Sequence, residues 1–528
     1  MNIKRVQNKG TSSFMYHRRD ALKFGLVAGS LFSFSTRLMA QTKPVEAPVQ
    51  TAPAFEALRV VEQARLLAAK PYKAPDTTLP NMFSNLNYEQ YVGIRPKPNS
   101  AIWAADGLGL AIEPLHRGFI FSAPMELYTV DGGVSQRVTY DQSRFDFDKI
   151  DIGKDIKDIG YSGFRILESR DGGGFDERVI FQGASFFRSV AKDQNIGVMA
   201  RALAVRTGDP SGEEFAIIRA VWIEKPAPAT RQIVVHALLD SESVTGAFRF
   251  TIRIGDATII DTEATLVPRV TVDHVGIAAM QVTSFFSPLD KRKTDDLRPA
   301  VYEATGLQML SGHGEWIWRP VSNRQTLQGS AFIDENPRGF GLIQRDRDSA
   351  AFEDDNQHWE RRPSLWIEPI QEWGAGQFEL LEIPSDSEVN QNVYVYWRPK
   401  EGLKPGTEAT YAYRQFWCWS PPIKPPLAMA TLARSGKTTQ GGKSLRRILV
   451  DFSGDNLAED VRPAAISAAL TLAGGQLVNS RILPGRISKT IRVQFDFEPA
   501  GENLVEIRLA LQAEGKPLSE TWVYRWTG

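Results

Sequence analysis

The sequence predicts an all-β protein, a large β-sandwich followed by a second, immunoglobulin-like β-sandwich. Three observations predict it. First, β-branched and aromatic residues gather in runs such as QIVVHALLDS (232–241), GAFRFTIRIGDATIIDTEATLV (246–267) and NVYVYW (392–397), separated by short Gly/Asp/Pro clusters. Second, there is no sustained alternation of strand and helix patterns and no solenoid repeat. Third, 528 residues exceed one ordinary core. A break at RPKEGLKPG (398–406) is followed by further strand-like runs with turn punctuation, of the size and pattern of an immunoglobulin-like sandwich.

The elements follow in order. Residues 1–40 read as a signal peptide: Arg18–Arg19 precedes the moderately apolar stretch Ala21–Phe34, then Arg37 and a small-residue end at Ala40. This is a twin-arginine-type pattern, with cleavage expected around Ala40 and a periplasmic mature protein. The apolar stretch is too short to span a bilayer comfortably. Residues 41–54 are rich in Pro and Ala and form a flexible lead. Phe55–Lys70 has helical composition, with Phe55, Leu58, Val61, Leu66 and Ala69 roughly on one face. The first sandwich is assigned to 55–397, a linker to 398–406 and the second sandwich to 407–528. In the second, ATYAYRQFWCW (409–419), RRILVDFSGD (446–455), RISKTIRVQFDF (486–497), NLVEIRLALQAEG (503–515) and SETWVYRW (519–526) read as strands, and 421–444 as a loop of mixed Pro, Lys and Gly.

Composition excludes several classes of function. With 62 basic and 62 acidic residues, the chain lacks the basic excess of a nucleic-acid binder. The single cysteine, Cys418, cannot form an intramolecular disulfide and reads as a small buried thiol. The six histidines are dispersed, without HExxH or zinc spacing. GYSGF (160–164) is not a nucleophile elbow, and GGGF (172–175) lacks the Lys-Ser/Thr of a phosphate loop and reads as a turn. No cofactor and no metal is expected.

The richest segment holds five of twelve tryptophans, from Trp316 to Trp373. It reads HGEWIWRP (313–320), NPRGFGLIQRDRD (336–348) and EDDNQHWERRPSLWIEP (353–369). Charged residues are too frequent there for a plain core strand. A sugar asks for this mixture, since its C–H faces stack on rings and its hydroxyls need dense donors and acceptors. Sugar hydrolysis needs two carboxylates. The acidic residues between Glu303 and Glu388 supply many, and spacing does not choose among them.

Longer phrases carry a resemblance. GYSGFRIL (160–167), FQGASFFRSV (181–190), HALLDSESVTGAFRFTI (236–252), GIAAMQVTSFF (276–286), GEWIWRP (314–320), NPRGFGLIQRDRD (336–348), RRPSLWIEP (361–369), LLEIP (380–384) and SETWVYRW (519–526) together resemble the periplasmic glucans biosynthesis protein G/D family. The resemblance spans roughly residues 55 to 526, and the twin-arginine start is more similar to the D branch. It implies a galactose-mutarotase-like first sandwich and an immunoglobulin-like second one, acting on the β-1,2-glucan backbone of osmoregulated periplasmic glucans. Some members resemble inverting hydrolases or transglycosylases, with a base Asp before the GEW motif and an acid Asp after E-I-P. In YEATGL (302–307), Glu303 stands at the base position and Thr305 at the following Asp; in SEVNQN (387–392), Gln391 stands at the acid position and Glu388 matches that stretch's Glu. Gln has no proton to give as a general acid, and Glu for Asp moves the carboxylate by one methylene. Ordinary hydrolysis is therefore expected to be lost or reduced. Glu303, Glu388 and Asp354 are the catalytic candidates, and Trp359, Arg362, Trp366, Glu368, Arg345 and Trp316 the substrate-binding ones. The implied partners are β-1,2-glucan and, for a non-catalytic scaffold, a membrane glucan synthase.

Overall fold

In the computed structural model, residues 54–528 are described, apart from 154–155, 291–294, 458–464 and 502. The expected signal peptide and nearly all of the lead lie outside the described residues. The first sandwich is two facing sheets. One is ten-stranded among the described residues and carries, in spatial order from its first edge, Leu110–Leu115, Gly163–Ser169, Phe175–Gln182, Phe186–Ser189, Met199–Arg201 and Val275–Val282. It continues through Val393–Pro399, Ala375–Glu382 and Gln328–Glu335. The facing sheet holds the antiparallel meander Ile217–Glu224, Gln232–Asp240, Val244–Arg253 and Thr258–Pro268.

Alternation along each strand decides what lies between the sheets. Phe181 and Phe187 point inward, each with its ring 5.3 Å from Phe250 of the facing sheet. Ala200 and Met280 join the same core. Arg188, Met199 and Gln281 occupy the alternate positions and so face away from it. That outward face carries the functional candidates.

The second sandwich packs the four-stranded sheet of Met429–Gln440, Lys443–Ser453, Thr490–Glu498 and Gln476–Pro484 over Ser467–Ala473, Leu504–Ala513 and Thr521–Thr527. Thr521–Thr527 pairs in parallel with Trp316–Pro320, at Ile317↔Thr521 and Trp318↔Trp522. One sheet, fifteen-stranded among the described residues, therefore runs through both sandwiches.

The all-β expectation holds, with three local differences. The strand Ala409–Cys418 pairs with Thr258–Pro268 and Ser364–Pro369, so it belongs to the first sandwich and the crossing falls after it, not at 398–406. The stretch read as a loop contains the twelve-residue strand Met429–Gln440; its small and polar residues hid it, because as an edge strand it buries little. The helix Ala57–Ala68 forms, but it buries Val60 and Ala64 and leaves Leu58 and Leu66 exposed. Small Ala64 allows close approach to the sheet, where the Thr245 hydroxyl donates to the Ala64 carbonyl at 2.8 Å. Cys418 is buried, and burial pushes its thiol up to about 12.

Candidate functional site

A cleft of about 460 Å³ opens on the outward face of the ten-stranded sheet, with Arg188, Gln281, Glu303, Arg362, Glu388 and Gln391 among its walls. Its centre is Glu303, which follows the two-residue strand Val301–Tyr302. The Glu303 amide donates to the Thr283 carbonyl at 2.9 Å, and the Thr283 amide donates back to Glu303 Oε2 at 2.9 Å. Backbone and side chain are thus fixed by the same neighbour. Burial holds the Glu303 carboxyl above its ordinary value; Arg362, the Thr283 amide, Arg188 and the Gln391 amide pull it back in part.

Gln391 is held from behind. Its Oε1 accepts from Gln281 Nε2, and Gln281 Oε1 in turn accepts from Arg201 Nε at 2.7 Å. Arg201 is anchored on Glu213, which also accepts from the Thr207 hydroxyl at 2.5 Å. Gln391 lines the cleft beside Glu303, whose carboxyl it helps to pull down. The loop carrying Gln391 is pinned to the neighbouring strands: the Thr283 hydroxyl donates to the Asn390 carbonyl at 3.1 Å, and the Ser284 amide to Asn392 Oδ1 at 2.8 Å.

Arg298 ties the remaining carboxylates together. It donates to Asp296 at 2.7 Å, to Asp354 at 2.8 Å, and to Glu388. Asp354 also accepts from Trp359 Nε1 at 2.9 Å and from the Gln357 amide at 3.0 Å. Burial would raise the Asp354 carboxyl, but Arg298 and these donors together hold it below its usual value. Asp354 is thus an ionised anchor for the turn that carries Trp359. Arg362 lies over the Trp359 ring at 5.0 Å and donates to Gln357 Oε1 at 2.9 Å. Gly197 permits this packing, since a Cβ there would come within 3.0 Å of Arg362 Cβ and Pro363 Cδ.

Glu303, Glu388, Trp359 and Arg362 therefore meet at one cleft, with Asp354 directly behind them. The other four candidates lie elsewhere. Trp316 and Trp366 stack on each other at 5.9 Å in the core shared with the second sandwich, and Trp366 Nε1 donates to Glu368 at 3.0 Å. Arg345 lies 3.4 Å over the Trp318 ring and binds Glu520 of the second sandwich in a two-pronged ion pair, at 2.6 and 2.9 Å. A smaller cavity of about 60 Å³ at this junction, lined in part by Tyr302, Asp346 and Trp522, has room for a few waters and none for a sugar ring.

Arg188, Gln281, Thr283 and Arg298 were absent from the sequence candidates. Two carried a legible signal: Gln281 and Thr283, two residues apart in AMQVTS, are polar steps in an otherwise apolar run, which marks an outward face. Arg188 lies inside FQGASFFRSV without standing out, and Arg298 carries no local pattern at all.

The cleft offers donors from Arg188 and Arg362 and an acceptor at Glu303, a set suited to vicinal hydroxyls, while the Trp359 ring is buried beneath Arg362. The family model for periplasmic glucan biosynthesis protein, MdoG, matches residues 55–526. Glucans biosynthesis protein G of Shewanella sp. (strain W3-18-1) is 42% identical over 478 residues, covering 90% of this chain and 87% of the relative. Glucans biosynthesis protein G of Vibrio cholerae (strain M66-2) is 40% identical over 476 residues, with 90% and 87% coverage. Among solved structures, the N-terminal domain of a Streptococcus gordonii adhesin is 8% identical, with a TM-score of 0.12 over 84% of this chain and 99% of that one, a likeness that carries no argument. Among the described residues, no helix is long and apolar enough to cross a membrane. A family model over nearly the whole described chain and relatives at this identity place the chain in the periplasmic glucan biosynthesis protein family.

Proposed function

We propose that the protein serves osmoregulated periplasmic glucan biosynthesis by holding β-1,2-glucan in the Glu303 cleft and shaping its backbone, without cutting it efficiently. The observation that carries this is the orientation of Gln391. Its Oε1 is held by Gln281, and its amide has no acidic proton to give a glycosidic oxygen at the position where the family pattern puts the acid. Arg188 and Arg362 supply fixed donors for sugar hydroxyls, and Glu303 accepts. A membrane glucan synthase is the partner such a scaffold would serve. Export through a twin-arginine signal is part of the same reading, on the strength of Arg18–Arg19.

A second reading is favoured by one feature. Burial raises the Glu303 carboxyl, so Glu303 itself can carry a proton, while Arg298 keeps Glu388 at the cleft wall as an acceptor. That pair is the candidate for slow hydrolysis or transglycosylation.

Calorimetric titration of the mature protein with linear β-1,2-glucan tests the binding claim. Saturable heat is expected, with Arg362→Ala weakening affinity on the order of tenfold or more through loss of a charged hydrogen bond. Equal affinity for an unrelated β-1,3-glucan, or no loss in Arg362→Ala, would sink it.

A further inference from the structure

Beyond the cleft, the same sheet face continues as a row of aromatic rings. Phe186 lies two residues from Arg188, and Arg201 two residues from Met199, so each shares the outward face of its cleft neighbour. Phe186 and Arg201 are register partners. The Arg201 guanidinium lies 4.7 Å from the Phe186 ring and 5.8 Å from that of Phe215, and the two rings are 6.3 Å apart. Next comes Gly183, where a Cβ would stand 3.2 Å from the Phe121 ring and 4.0 Å from Phe186. From Phe121 the row passes to Tyr91 at 5.6 Å, then to Phe119 at 6.2 Å, and Tyr88 closes it, 6.0 Å from Phe119.

The outer rings are not spent on a core. Phe215 is 50% exposed, Tyr88 53% and Phe119 38%. Phe119 keeps this position in a left-handed conformation, φ 53°, at the tip of a turn closed by reciprocal amide–carbonyl bonds between Gly118 and Phe121. Three half-exposed rings in one connected row, one of them held in a left-handed conformation, form an apolar platform open to water.

We propose that this row is a carbohydrate subsite that takes sugar units of the glucan lying outside the Glu303 cleft, by stacking their C–H faces on the rings. The proposal rests on the glucan-binding reading of the cleft. Continuity argues for one occupant: Arg201 lies against the rings and also fixes Gln281, which fixes Gln391. A cleft of about 460 Å³ takes an oligosaccharide segment, whereas the polymer continues beyond it. A row, in contrast to a compact patch, suits an extended chain.

The test titrates the full mature protein, and its Phe215→Ala and Tyr88→Ala variants, with linear β-1,2-glucans of increasing length. Wild-type affinity is expected to rise once chains outgrow the cleft. Each variant should lose about 5- to 10-fold of that rise while keeping its affinity for chains short enough to fit the cleft. The two rings sit on separate elements and are half-exposed, so one variant reads independently of the other. An unchanged length dependence in both variants overturns the subsite, and so does an equal loss for short and long chains. No binding by the wild type at any length overturns the cleft reading itself, a distinct result.

Discussion

In the proposed reading Gln391 and Glu303 decide the chemistry, and both stand out in the sequence as departures from the pattern of the family it resembles. What the sequence could not supply was their meeting at one cleft or the chain from Arg201 through Gln281 that holds Gln391, because those residues are far apart along the chain. This arrangement gives a direct prediction. Gln391→Asp restores a carboxyl group beside Glu303, and two carboxylates so close share a proton. New reducing ends from linear β-1,2-glucan should then form about 10²-fold faster than with wild type, measured by a reducing-sugar assay; an unchanged rate would show that position 391 is not the missing acid. A second prediction follows from the raised Glu303 carboxyl. The native state binds a proton that the unfolded state has already released, so stability is full below the ordinary carboxylate range and is lost as pH rises through the raised value. Glu303→Gln should therefore be more stable than wild type in mildly alkaline solution, with the gap closing as pH falls toward the ordinary range. Thermal melts across pH check the sign.

At the scale of elements, the tryptophan-rich segment divides in two. Trp359 and Arg362, on a turn anchored by Asp354, face the cleft; Trp316, Trp318 and Trp366 seal the junction of the sandwiches. Sequence composition cannot separate these fates, since both need large rings near guanidinium groups. The register with Thr521–Thr527 is what assigns the latter group to the junction, and that pairing spans about two hundred residues of sequence. Strands with strong alternation, such as Gln232–Asp240 and Val244–Arg253, were legible, whereas the edge strand Met429–Gln440 was not. The junction's ion pair is testable. Glu520 is wholly buried and accepts from Arg345, Gln308 and the Ala430 amide. Glu520→Ala strands the Arg345 charge and should cost about 3–5 kcal/mol of stability, measured by denaturant unfolding, while the folded fraction keeps its glucan affinity. A loss of affinity without loss of stability would place Glu520 in binding instead.

For the whole molecule, the continuous sheet and the buried junction predict that the two sandwiches unfold together. Calorimetry of the mature protein should show a single unfolding transition; two well-separated transitions would mean that the junction is weak. Replacing Arg18 and Arg19 by Lys should leave unprocessed protein in the cytoplasm, detected by fractionation, while export of the variant would remove the twin-arginine assignment. The all-β class and the two-sandwich plan were visible in the sequence because both rest on local patterns, but the shared sheet was not, because it depends on pairing between remote segments. The central claim is that this cleft holds glucan without cutting it efficiently. The measurement that tests it most directly is incubation of the mature wild-type protein with linear β-1,2-glucan, reading bound glucan, product sizes and new reducing ends together. The account predicts glucan that is bound and unchanged in length. Shorter chains with new reducing ends, abolished in Glu303→Gln, would contradict it and make Glu303 a catalytic carboxyl of a working hydrolase.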